Sequence, residues 1–272
     1  MSDLLVAIPL LVEWALAVTV AAPFALVNNR WIYAHPTAGL ALWFGAFVSA
    51  ALSLGVAFGL AVWSVFETYL QLTDAASQGD VWLGLLASFS PWLILAIGGI
   101  SLAVITQRLE SEIDYTKPVA KPTATGSQSS WVHRDVRVVE IDLPVTFAFS
   151  IGTSVKGANS QIVLSTKVRQ SLSSEELKSL LDHEHFHLKA GHALGQKLVQ
   201  ILTILTGRFM TTRVLAKETA LLFELAADKH SVARNSRVAL RKALTTLAGN
   251  SGSDRELGLR LAHLGDVERP AA

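Results

Sequence analysis

The 272-residue chain contains no cysteine. Disulfides and thiolate chemistry are therefore excluded, and any zinc site must be built from histidine and carboxylate. There is no glycine-rich phosphate loop and no nucleic-acid motif, and the formal net charge is only +1. A charge that small gives no reason to expect a nucleic-acid partner. Charged residues are scarce at 17%, against 51% hydrophobic residues. They are also unevenly placed. From Met1 to Gln107 the only Lys or Arg is Arg30, and all the others lie from Arg108 onward. The first part of the chain is bilayer-like and the second is water-like.

Three apolar segments match the ~20 residues needed to cross a hydrocarbon core. They run over 4–27, 38–65 and 81–105, within an N-terminal region of 1–107. The first has no positive n-region and is too long for the h-region of a signal peptide, so it reads as a span. It contains Glu13, an ionisable group inside a span, which is either a functional group facing a wet cavity or an interfacial or neutral one. Gly55 and Gly59 form a G-x-x-x-G pair that would permit close helix packing, including packing of two copies into a homo-oligomer. Lys and Arg near the span ends set orientation. The N-terminus has none, the loop at 28–37 has Arg30, the loop at 71–80 has only Asp74 and Asp80, and Arg108, Lys117 and Lys121 follow the third span. This places the N-terminus outside and the C-terminal part in the cytoplasm of a multi-pass protein of a bacterial inner or plasma membrane.

Residues 108–130 read as a linker, because Tyr115 to Ser130 holds two prolines, a glycine and a run of Ser and Thr. Residues 131–272 read as one α+β domain. Val136–Ile141, Thr146–Ile151 and Gln161–Leu164 have strand character, with a turn at Gly157-Ala158-Asn159. Ser173-Ser174-Glu175-Glu176 is a capping-box sequence, and Leu177, Leu180, Leu181 and Leu188 follow at helical spacing up to Gly191. The stretch from Leu194 to Met210 is apolar in its middle but short of a comfortable span. It reads as a helix packed in the domain, with a helix on the membrane surface as the alternative.

The chemistry lies in His183-Glu184-His185-Phe186-His187, an H-E-x-x-H pattern inside that capped helix. Residues four apart share a helix face, so His183 and His187 can present two imidazoles to one zinc ion. Glu184, one residue round, can take a proton from a water on the metal, the role of a general base in peptide hydrolysis. A catalytic zinc wants three protein ligands. Glu224 and Asp228 lie four apart in the apolar stretch Thr219–Asp228. Glu224 is the candidate third ligand, and Asp228 can accept from a ligand imidazole. The bland alternative is an amphipathic helix with two solvated acids.

H-E-x-x-H followed some tens of residues later by E-x-x-x-D resembles the gluzincin arrangement of integral-membrane metallopeptidases. Val145–Gly152 and Gln161–Thr166 resemble the segment before the zinc helix in BlaR/MecR-type peptidases, here as a short form with no sensor domain following. His192, five residues after His187, resembles a further histidine found there and in related membrane proteases. The resemblance implies a zincin-like domain with one zinc on His183, His187 and Glu224, Glu184 as base and Asp228 in support. The fold expected is three N-terminal transmembrane helices followed by this α+β metallopeptidase domain. The function expected is a membrane-anchored zinc endopeptidase acting on a cytosolic or juxtamembrane protein, with the bilayer as its other partner. The alternative is a non-catalytic membrane signalling or scaffold protein with a structural metal site. Zinc peptidases also place an electrophile opposite the metal. Arg255, Arg260 and His263 in the late segment are candidates, with Arg260 and His263 three residues apart on one helix and His192 and His230 as rivals.

Overall fold

The computed structural model describes residues 2–27, 29–76, 127–152, 160–206, 210–248 and 255–265. The expected third span at 81–105, nearly all of the linker and the turn at 157–159 lie outside these residues. The chain divides into two compact units: Met1–Asn29, Ala41–Tyr115 and Ile204–Val214 form one, and Arg30–Leu40, Thr116–Thr203 and Leu215–Ala272 form the other.

The first unit is built on α1 (Ser2–Leu26) and most of α3 (Pro36–Ala76). Val6–Leu26 and Pro36–Gln71 are long and apolar enough to cross a bilayer, with only 6% and 11% of their most apolar windows buried. Large apolar side chains instead face outward, among them Leu10, Leu52 and Trp63. That pattern is the inverse of a soluble core and is what a hydrocarbon solvent demands. Helix α3 has 41 residues, about 62 Å at 1.5 Å per residue, well beyond a ~30 Å hydrocarbon core. It is helical through Ala76, so the loop expected from Gln71 begins several residues later. The Trp14 indole N–H donates to Ser49 Oγ at 2.9 Å and joins the two helices. Glu13 is exposed on α1. A Cβ at Gly55 or Gly59 would meet nothing within 4 Å, so that pair lines an open face among the described residues.

The second unit includes the short connection between α1 and α3. Here α2 (Arg30–Ala34) buries Ile32. A Cβ on Gly39 would stand 2.5 Å from Ile32 and 3.2 Å from Leu222, so only glycine lets these elements approach. Tyr33 donates to Glu218 at 2.9 Å, and Lys229 donates to the Ala34 carbonyl at 2.9 Å. Both contacts tie the connection to α7 (Met210–Val232).

A four-stranded sheet follows, with strand order β1-β2-β4-β3. Its strands are β1 (Ser127–His133), β2 (Val136–Ile141), β3 (Ala148–Ile151) and β4 (Gln161–Ser165). Strand β2 runs parallel to β4, with Val138 beside Ile162, and β3 pairs antiparallel to β4 at the edge. The three expected strands are present, with β3 starting two residues late. Strand β1 takes Ser127–Ser130 out of the expected linker: its serines lack strand character, yet Ser127, Ser129 and Ser130 pair with Ile141, Glu140 and Val139. Then come α4 (Thr166–Ser171), α5 (Ser174–Lys189), α6 (His192–Thr206), α7, α8 (Arg237–Ala248) and α9 (Arg255–Gly265).

Helix α5 is fixed at both ends. Ser173 Oγ accepts from the Glu176 N–H while the Glu176 carboxylate accepts from the Ser173 N–H, completing the capping box. Gly191, at φ +68°, takes the left-handed conformation that stops the helix. Its flanks are buried twice. Leu181 packs on Val136, Val138, Ile162 and Leu164 of the sheet, and Leu180 packs on Val168, Leu172 and Ala243. Asp182, fully buried, then locks the helix in register. It accepts from Arg134 at 2.7 and 2.9 Å, lies 2.8 Å from His133 Nε2, and accepts from Asn235 at 2.8 Å. Burial works against this carboxylate, but Arg134, Asn235 and His133 outweigh it and hold its pKa well below the usual range. Helix α5 is thereby clamped to the β1–β2 hairpin and to the α7–α8 turn.

Helix α6 has 15 residues, about 22 Å, too short for a span. His183 and Glu224 are therefore not forced to opposite sides of a membrane by this segment.

Candidate metal centre

Two buried helices supply the centre. His183, Glu184 and His187 lie on the inward face of α5. Helix α7 is buried on several sides through Leu221, Leu222, Phe223, Leu225, Ala226 and Ala227. Glu224 and Asp228 therefore do not sit on a solvated face: Asp228 is 2% exposed, and the Glu224 side chain 23%. The Ser231 hydroxyl donates to the Ser179 carbonyl at 2.7 Å and pins α7 against α5 at this level.

The donor atoms converge. His183 Nε2 and His187 Nε2 are 3.2 Å apart. His183 Nε2 is 3.3 Å from one Glu224 oxygen, and His187 Nε2 is 3.4 Å from the other. One atom from each of the three side chains falls within a 4.8 Å group. Ligands about 2.0–2.1 Å from a tetrahedral zinc stand roughly 3.3 Å from one another, so the residues present fit that ion. The far sides of the rings are held as well. His183 Nδ1 lies 2.9 Å from Asp228 Oδ1, which leaves Nε2 turned to the centre. His187 Nδ1 lies 2.9 Å from His192 Nδ1, and His192 is buried beside Phe186 and Phe223.

The electrostatics favour a cation here. Burial opposes a charge on His183, but Asp228 and Glu224 outweigh it and raise its pKa to about 10. Burial also raises the cost of a Glu224 anion, yet His183, Arg260 and His187 hold its pKa far below the ordinary range. Burial and the neighbouring His183 charge push His187 down to about 3. Positive charge is thus stabilised between the imidazoles and Glu224, where a divalent ion would compete with a proton. Burial raises the Glu184 pKa, and Ser150 of β3 hydrogen-bonds its carboxylate.

Arg260 of α9 donates from Nε and Nη2 to the two Asp228 oxygens, each at 2.8 Å, and its Nη1 is 2.9 Å from Glu224. It lines a cavity of about 540 Å³ together with His183, Glu184, His187 and Glu224. Of the late candidates with described side chains, Arg260 and His263, it is the one that the structure brings to the centre. His263 is exposed on the last turn of α9, past the edge of the inward stripe of Leu257, Leu261 and Leu264. His230 stacks on Phe186 at 4.3 Å and touches Arg234. The Arg255 side chain lies outside the described residues. Sequence reasoning missed Ser150 and the Asp182 clamp. It noticed His192 through a resemblance to a further histidine of related membrane proteases and as a rival electrophile, and the structure sets it behind the His187 ring.

Residues 119–253 match the model of Peptidase family M48. The matched segment runs from before β1 to the end of α8 and holds every metal-centre residue except Arg260. M48 peptidases are metallopeptidases, and the His183–His187–Glu224 group could hold a metal among the described residues of this segment. No curated protein matches the chain. The crystal structure of S. mikatae Ste24p is similar with a TM-score of 0.40 and 13% identity, covering 95% of this chain and 98% of that one.

Proposed function

We propose that the chain is a membrane-anchored zinc endopeptidase. The observation that carries this reading is the convergence of His183, His187 and Glu224 beside a buried Glu184, inside the M48-matching segment. Bound zinc would supply a Lewis acid that polarises a peptide carbonyl and acidifies water. Glu184 takes the proton and delivers it to the leaving amine. Asp228 and His192 hold the two ligand rings in orientation. Edge strand β3, whose Ala148, Phe149 and Ser150 line the cavity, offers main-chain pairing to an extended substrate. A structural metal site in a scaffold protein would have no use for a buried acid poised for proton transfer. Purified protein in lipid should cut an unfolded protein substrate, lose that activity to a chelator and regain it with zinc. Activity indifferent to the chelator would reject the reading.

The BlaR/MecR subtype is a finer proposal. It is supported by features those peptidases share with other gluzincins, namely spans before the domain and the H-E-x-x-H and E-x-x-x-D pair, and by the β3–β4 sequence. Comparing cleavage-site preferences with those of BlaR/MecR peptidases and of M48 peptidases tests it, and preferences that follow M48 enzymes reject the subtype.

The orientation proposed is N-terminus outside and catalytic unit in the cytoplasm. Arg30–Leu40 belongs to the same compact unit as the metal centre, which supports placing Arg30 and the catalytic residues on one side. A reporter fused after Ala272 should be active only in the cytoplasm, and one inserted after Gln78 only outside. The reverse pattern would overturn the orientation.

Arg260 is proposed to stabilise the developing oxyanion. Arg260→Ala should lower turnover by about a hundredfold, as loss of one such donor does, with zinc content unchanged. Near-normal turnover removes Arg260 from the chemistry. Loss of zinc together with turnover assigns it instead to holding Asp228 and Glu224.

A further inference from the structure

Helix α6 turns an apolar face outward. Its inward side is set by His192 and Val199, 5% and 8% exposed. On the far side Leu194 is 57% exposed and Leu198 50%, one turn apart, with half-buried Ile201 continuing the line. At 100° per residue these three fall within about 60° of one another, so they form a single stripe. A soluble domain gains nothing by exposing leucines at i and i+4 on one surface.

The charge along this stretch of sequence is one-signed. Between Glu184 and Glu218 the chain contains Lys189, Lys197, Arg208, Arg213 and Lys217 and not one Asp or Glu. Lys189, Lys197 and Lys217, all of the same compact unit as the stripe, are exposed. An apolar stripe with basic flanks is the composition of a helix that lies in the headgroup region of an anionic leaflet, with its leucines reaching the acyl chains and its lysines at the phosphates. The chain also carries two helices apolar and long enough to cross a bilayer.

We propose that the Leu194–Leu198–Ile201 face of α6 docks on an anionic lipid leaflet. The occupant is lipid rather than a second protein, because basic flanks and aliphatic side chains match headgroup and acyl chain in that order. Ala193 and Gln196 of the same helix line the metal-centre cavity, so the docked face and the cavity share one helix. The proposal depends on the membrane anchor and not on peptidase activity.

The absence of cysteine makes the test direct, since a single introduced thiol is the only one to label. Full-length Leu194→Cys, Leu198→Cys and Ile201→Cys would carry a nitroxide in vesicles of phosphatidylcholine with phosphatidylglycerol. Power-saturation spectroscopy compares collisions with oxygen, which concentrates in the bilayer, and with a water-soluble nickel chelate. Leu10→Cys on α1 is the embedded control, and exposed Thr245→Cys on α8 the aqueous one. Oxygen should dominate at 194, 198 and 201, as at 10, and nickel should dominate at 245 and at Gln200→Cys on the other side of α6. Omitting phosphatidylglycerol should shift the three stripe positions toward nickel. Nickel dominance at the stripe with oxygen dominance at position 10 overturns docking while leaving the anchor intact. Nickel dominance at both overturns the anchor too. Protection of the stripe from both reagents assigns the face to a protein partner and overturns lipid as its occupant. No response to phosphatidylglycerol overturns the anionic leaflet as the partner.

Discussion

Glu184→Gln should stop proteolysis and leave metal binding intact. Glutamine keeps the size of the side chain and can still meet Ser150, but it cannot accept a proton near neutral pH. Glu184 is 8% exposed and is not among the three converging ligands, so its replacement leaves the His183, His187 and Glu224 donors untouched. Burial already raises its pKa, so folding pays less for a neutral side chain here than it would at a site that favours the anion. The expected loss is at least the ~10²–10⁴-fold that one general acid–base contributes. Zinc content and melting temperature should match the parent protein. Unchanged cleavage would reject Glu184 as the base, and lost zinc would show that it supports the ligands instead.

Sequence patterns carried the centre further than they carried its surroundings. His183, Glu184 and His187 are legible because a helix fixes their spacing, and the capping box at Ser173 with Gly191 fixes the helix. Glu224 and Asp228 are harder, since two acids in an apolar stretch read equally as a solvated stripe. Only the packing of α7, with Ala226 and Ala227 buried beside them, decides that they face inward. Arg260 and His263 have equal standing in a sequence, being three apart on one helix. Tertiary contact separates them, because Asp228 receives the Arg260 guanidinium while His263 stays exposed. Strand β1 was hidden for a related reason. Ser127, Ser129 and Ser130 have little strand preference of their own and take strand conformation because β2 offers a ladder. Asp182 is the plainest case of what local pattern cannot reach: its partners Arg134 and Asn235 are 48 and 53 residues away.

His187→Ala should empty the centre. Among the described residues His183, His187 and Glu224 are the group that could hold a metal, while His185 Nε2 is turned outward to Asp135 at 2.7 Å and Asp228 is occupied by Arg260 and His183. Removing His187 leaves one imidazole and one carboxylate, too few to retain zinc in a catalytic geometry. The parent protein should hold about one zinc per chain after dialysis, and the variant close to none. His192→Ala provides the scale. It removes the partner of His187 Nδ1 rather than a ligand, and should weaken zinc by the ~10–100-fold typical of such supports while still permitting full loading in excess metal. Thermal unfolding offers a readout independent of catalysis. A ligand at 100 times its Kd stabilises the native state by about 2.7 kcal/mol, so zinc should raise the melting temperature of the parent and of His192→Ala, but not of His187→Ala. Full zinc occupancy in His187→Ala would mean that the His183–His187–Glu224 set is not the metal site, whatever else the cavity does.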